Sequence, residues 1–176
     1  MKSPLIYTLA AACMLLAACS KSPADKAAPG QPKDVPKLVA AEAANLVSEA
    51  AFALSVREYD RAEKSLARAV ELRSDIPDWW MSLGTACKRQ GKNGDARSAF
   101  KKALALYEKR YAATADATDL QQQLIVLVLL GREDDARKLL DRSRQKQPGQ
   151  PVLKRLSDGK FVDQLLRDPN IQQLKL

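Results

Sequence analysis

The chain has 176 residues, with 29 Lys and Arg against 21 Asp and Glu, a formal net charge of +8 and no histidine. The missing histidine removes the commonest general base and metal ligand, and with Cys13 and Cys19 near the N-terminus, Cys87 has no partner for a disulfide or zinc cluster in the rest of the chain. The modest basic excess favours anionic surfaces and acidic partners.

The first segment reads as a processing signal. Met1-Lys2-Ser3 carries one positive charge, and Leu5 to Ala18 is an apolar run. That run is shorter than the about 20 residues a membrane-spanning helix needs. It fits the roughly 7–15-residue apolar core of a signal peptide. It ends Leu16-Ala17-Ala18-Cys19, which resembles the lipobox of bacterial lipoprotein precursors. The resemblance implies a signal peptide over 1–18, a diacylglycerol on the Cys19 sulfur and an acylated (palmitate-type) amine after cleavage. Ser20, where an aspartate would retain the protein in the inner membrane, implies an outer-membrane lipoprotein facing the periplasm of a Gram-negative cell. The plain alternative is ordinary cleavage after an Ala-x-Ala-like site. Residues 19–37 hold Pro23, Pro29, Pro32 and Pro36 with little to bury, so they are expected to form a disordered tether that spans up to ~55 Å when extended.

A repeat follows, over residues 38–150. Ala62 and Ala96 stand 34 residues apart, and Ala136 comes 40 after Ala96, an excess of six that falls around Tyr111–Asp116. In the unit 77–110, Trp80, Leu83, Gly84, Gly91, Ala96, Phe100 and Ala103 fall at repeat positions 4, 7, 8, 15, 20, 24 and 27. In the unit 117–150, Leu120, Leu124, Leu127, Gly131, Ala136, Leu140, Ser143 and Pro148 fall at positions 4, 8, 11, 15, 20, 24, 27 and 32. The unit 43–76 has Leu46, Ala50, Ala53, Ala62, Leu66 and Ala69 in register, with Arg57 where the others have a turn glycine. Small residues at positions 8, 20 and 27 let two antiparallel helices approach, and Gly91 and Gly131 suit a left-handed helix end. Asp60, Asn93-Gly94-Asp95 and Glu133-Asp134-Asp135 then supply turn and acidic residues for the second helices.

This pattern resembles the tetratricopeptide repeat (TPR), departing from it at Cys87 in place of a large aromatic and at Leu124 in place of a small residue. The resemblance implies an all-α fold: a right-handed TPR solenoid of about three helix-turn-helix repeats. Residues 151–176 resemble the tail that follows many such arrays, in which a C-terminal capping helix, here around Phe161–Leu166 before Asp168-Pro169, closes the last repeat. By register Trp80 is core and Trp79 lies at a rim. Cys87 reads as a small buried apolar residue. Arg68, Lys102 and Arg142 share position 26 on the outer face, where interleaved acids make a solvated surface.

In this family positions 2, 5, 9, 12 and 13 of each first helix line a peptide-binding groove. The resemblance therefore implies Ala44, Val47, Ala51, Leu54 and Ser55, then Asp78, Met81, Thr85, Lys88 and Arg89, then Thr118, Gln121, Ile125, Val128 and Leu129. The residues expected to carry binding are Met81, Thr85, Lys88, Arg89, Gln121, Ile125 and Val128. Leu124–Leu130 is apolar on every side, which requires a helix buried all round, or else one whose Ile125, Val128 and Leu129 meet a partner. No Gly-x-Ser-x-Gly and no carboxylate cluster outside ordinary helix surfaces points to catalysis, so no cofactor and no metal is expected. The functional expectation is a membrane-anchored scaffold or adaptor for other envelope proteins, with no nucleic-acid role. The alternatives are a homo-oligomer joined through the apolar third repeat and an accessory subunit of an envelope enzyme.

Overall fold

The computed structural model describes residues 33–158 and 160–176. The expected signal peptide, Cys19 and most of the tether lie outside them. The described residues form nine α-helices: α1 (Lys37–Ser55), α2 (Tyr59–Leu72), α3 (Pro77–Arg89), α4 (Asn93–Thr114), α5 (Ala117–Leu129), α6 (Glu133–Lys146), α7 (Pro151–Asp158), α8 (Phe161–Arg167) and α9 (Pro169–Leu174). Helices α1/α2, α3/α4 and α5/α6 pair, and each pair stacks on the next through α2 against α3 and α4 against α5. This is the helical repeat array expected.

Three corners share one geometry. Arg57, Gly91 and Gly131, all at repeat position 15, have φ of 63°, 78° and 72°. Behind each, a backbone N–H reaches five residues back: Glu58 to Ala53 at 2.8 Å, Lys92 to Cys87 at 3.0 Å and Arg132 to Leu127 at 2.8 Å. The left-handed residue itself donates three residues back, to the carbonyls of Leu54, Lys88 and Val128. These are complete Schellman caps, which close a helix when one residue goes left-handed. Arg57 therefore takes the backbone of the glycine it replaces. Helices α2, α4 and α6 all begin two residues later, with acids in their first turns but no side-chain cap. Asp60, Asp95 and Glu133–Asp135 thus act through the helix dipole.

The contact between paired helices is built from small residues. Ala50, Ala53, Ala62, Ala69, Ala96, Ala103 and Ala136 are fully buried. In the middle pair a Cβ added to Gly84 would lie 2.5 Å from the ring of fully buried Phe100, so only glycine admits that ring. Leu124 stands at the equivalent place in the third pair, where α5 and α6 meet less extensively than α3 and α4.

The structure adds detail to the sequence reading at three points. Helix α1 begins at Lys37, six residues before the unit start at 43, and the chain leading into it is pinned where Lys33 N–H donates to Asp75 at 2.7 Å. The six extra residues lengthen α4 to Thr114, after which Ala115 turns left-handed and Asp116 caps α5 by accepting from Thr118 N–H at 2.7 Å. The capping region is three short helices rather than one, because Asp168-Pro169 stops α8 and starts α9. Helix α7 packs on α6, whereas α8 turns back onto α5 and α9 onto both α5 and α3.

Candidate functional site

The first helices α1, α3 and α5 carry the residues expected to line the groove, and the structure treats the three differently. On α1, Ala44, Ala51 and Ser55 are exposed, and Val47 and Leu54 half-buried. On α3, Met81, Thr85, Lys88 and Arg89 are all half-buried. Thr85 Oγ1 donates to its own helix at Met81 O, 3.1 Å away. Lys88 Nζ donates to Asn93 Oδ1 at 3.0 Å, which turns it toward the α3–α4 corner. Arg89 points elsewhere: its Nη1 donates to Gln173 Oε1 at 2.6 Å, on α9. The two cations adjacent in sequence are thus committed to different neighbours.

On α5, Thr118 is exposed, and Gln121 and Ile125 are half-buried. Gln121 lines a surface pocket of about 360 Å³ together with Val152, Arg155, Leu156, Phe161 and Gln164. Val128 and Leu129, expected at the groove, are 0% and 1% exposed. Their side chains present nothing to a partner, because this end of α5 lies within the core that the returning tail helps to cover. Leu124, Val126, Leu127 and Leu130 are buried too, so the all-round apolar helix is a core helix.

The tail reaches α5 through its backbone. Leu176 N–H donates to Leu129 O at 2.8 Å. A helix leaves its last four carbonyls without internal partners. The Schellman cap uses those of Leu127 and Val128, and the tail takes the next one. Lys175 forms an ion pair with Glu133 at the start of α6, and this ammonium holds the Glu133 carboxyl below its ordinary range.

A polar network missed by the sequence reading joins the second repeat to the third. Arg110 on α4 grips the buried Asp119 of α5, with Nε 3.0 Å from Oδ1. Its guanidinium carbon lies 5.4 Å from the centre of the Tyr107 ring. Tyr107 OH donates to Asp78 Oδ1 at 2.7 Å, and burial with that carboxylate drives the phenol pKa far up. Gln123 Nε2 donates to Tyr107 O at 3.2 Å. The signal available in the sequence was a lone Asp in the apolar face of α5, nine residues from an Arg.

Elsewhere, Trp80 is half-buried rather than core. Its Nε1 donates to Ser74 O at 2.9 Å, which keeps the indole edge at the loop, and Trp79 is half-buried as well. Cys87 is buried as expected, and burial pushes its thiol up to about 11, which leaves it unreactive at neutral pH. Arg68, Lys102 and Arg142 are exposed, and Arg68 pairs with Glu71 and Glu42 at 3.1 and 3.5 Å. Among the described residues no group of three or more Cys, Asp or Glu gathers as a metal site.

Compared with known proteins, the chain matches a family model described as tetratricopeptide repeat over residues 53–113, which runs from the end of α1 through α4. No curated protein matches the chain significantly.

Proposed function

The chain is a tetratricopeptide-repeat protein, and from that premise we propose that it works as a membrane-anchored scaffold, assembling envelope proteins on the face formed by α1 and α3. Repeats of this family are protein-interaction modules, and that much holds for this chain. One observation supports the choice of face. Val47 and Leu54 on α1 and Met81 and Thr85 on α3 are only half-buried, at the register positions the family uses for ligands, while Val128 and Leu129, at the last two of the equivalent positions on α5, are buried. Half-buried apolar groups beside a basic residue suit an amphipathic segment with an acidic residue. Anchoring at an outer membrane rests on Leu16-Ala17-Ala18-Cys19 and Ser20, through the lipid on Cys19. A homo-oligomer joined through the third repeat has less support, since Leu124 and Val126–Leu130 are buried inside the protein's own fold.

The test pairs localisation with capture. Cys19→Ala should shift the protein out of the membrane fraction. Thr85→Arg with Lys88→Glu should remove partners from a membrane cross-linking pull-down while lowering the melting temperature by no more than about 4 °C, because Thr85 bonds within its own helix and Lys88 to the side chain of Asn93 at the α3–α4 corner. Arg68→Glu with Lys102→Glu, on the outer face, should keep the partners. Loss of partners from the outer-face variant alone would move binding to the convex side and end the groove reading.

A further inference from the structure

We propose that α9 with Leu176 is a built-in, displaceable occupant of the groove. The bed it covers on α3 and α5 takes in its place a short peptide segment of the same chemistry: one helical turn with two or three apolar residues, an amide or carboxylate for Arg89 and a cation for Glu133. This deepens the proposed function, because it rests on the reading that partners bind the concave side.

The first support is how weakly α9 is held. Helices α7 and α8 each bury two residues, Leu153 and Leu156 in one and Val162 and Leu165 in the other, whereas α9 buries none. Its apolar side chains, Ile171, Leu174 and Leu176, rest against the core without entering it. Apolar burial is the main cohesive term, at roughly 25 cal/mol per Å², so a segment without a buried residue detaches more readily than its neighbours.

The second support is the kind of contact α9 makes. They are the contacts a bound peptide makes: Arg89 to Gln173 across 84 positions of sequence, Lys175 to Glu133, and the Leu176 N–H to the spare carbonyl of Leu129. The backbone bond imposes no sequence, and the two side-chain contacts read polarity at either end of the bed. The fit is close at one point, where a Cβ on Gly131 would lie 3.3 Å from the Leu176 carbonyl.

The third support is the hinge. Asp168 ends α8 and caps α9, accepting from Asn170 N–H at 2.7 Å, with Pro169 at the first helical position. One residue therefore separates a helix with two buried residues from one with none, and α9 can leave as a unit while α8 stays in place. A short link holds its ligand at a millimolar effective concentration. A bed binding the free segment at about 0.1 mM is then closed roughly ten times more often than open, and a partner with added contacts elsewhere on the groove displaces the tail.

The test uses the full chain and a fluorescent synthetic peptide of residues 168–176. Ile171→Asp with Leu174→Asp should release the tail, and the released protein should bind the peptide at least tenfold more tightly than the unaltered chain. Adding Arg89→Ala with Glu133→Gln to the released protein should cut that binding about fivefold. The melting temperature of the released protein should fall by no more than about 4 °C. A larger fall shows α9 to be a structural cap and overturns the proposal, as does a folded released protein that binds the peptide no better than the unaltered chain. Neither result depends on the Thr85→Arg, Lys88→Glu pull-down, which tests the groove reading separately.

Discussion

Helices α1 and α5 occupy the same place in the first and third repeats, and both are mostly apolar, yet the fold uses them in opposite ways. Among the described helices α1 alone is long and apolar enough to cross a membrane by length and composition. It buries only three of its 19 residues, all alanines: Ala43, Ala50 and Ala53. Leu38, Phe52 and the following Val56 are 81%, 58% and 46% exposed. The 13-residue α5 buries eight residues, because α4, α6, α8 and α9 surround it. Helix α1 has α2 on one side, and its charges face the same way: Glu49 meets Arg61 at 3.0 Å and Glu42 meets Arg68 at 3.5 Å. Each repeat buries its face only against a neighbour. The C-terminal edge finds that neighbour in the chain's own tail, while the N-terminal edge among the described residues is held by alanine contacts and leaves its outer side open. An apolar helical sequence therefore demands cover only where the array continues.

The sharpest way to break this comparison is to truncate one large side chain on each helix. Leu124→Ala removes a fully buried side chain and should cost about 2–5 kcal/mol, as buried leucines do. Phe52→Ala should stay within about 0.5 kcal/mol, as exposed substitutions do. Urea unfolding of both variants measures the difference. A loss above about 1 kcal/mol for Phe52→Ala would mean that the outer side of α1 is covered in solution.

The corners offer a smaller contrast with opposite signs. Arg57 holds a left-handed backbone at 63° that costs a side chain about 1–2 kcal/mol. Arg57→Gly should therefore stabilise the chain by about 0.5–1 kcal/mol, after the greater freedom of glycine in the unfolded chain is set against the relief. Gly131→Ala, at the same corner of the third repeat, should destabilise by about 1–2 kcal/mol, with the near Leu176 carbonyl adding to the strain. Thermal melts that moved both variants in one direction would show that the two corners are not equivalent.

These corners also mark what the sequence could disclose. The spacing of Ala62, Ala96 and Ala136 and the glycines at 91 and 131 carry the repeat because each acts within its own hairpin, where neighbours in sequence are neighbours in space. Arg57 looked like a departure, since side-chain identity hides a backbone shape that the surrounding caps impose. The return of α9 was not legible. It depends on Arg89 meeting Gln173 and on Leu129 offering a carbonyl to Leu176, contacts that no local period encodes. The same holds for Arg110 and Asp119, whose helices must be placed before their pairing can be seen. Trp80 was misplaced because the register fixes which side of α3 it occupies but not how far the Ser74 carbonyl draws the indole outward.

The smallest expected effect concerns the closed edge alone. Glu133 accepts from Lys175, and its carboxyl is held below its ordinary value of 4.5, mainly by that ammonium and then by a backbone N–H. A carboxylate whose folded pKa is depressed contributes stability that is fully present above the unfolded value and is lost as pH falls through the folded one. The tail contact should thus be constant from neutral pH down to about 5 and loosen below about 4.5. Both side chains are roughly one-third exposed or slightly less, so solvent screening keeps the effect under about 1 kcal/mol. The Leu176 amide, which donates to Leu129 O, reports it directly: its NMR shift should titrate with a midpoint below 4.5. Glu133→Gln should remove that midpoint while leaving the helical content unchanged. A midpoint that survives Glu133→Gln would assign the transition to another carboxylate and detach the tail from this ion pair.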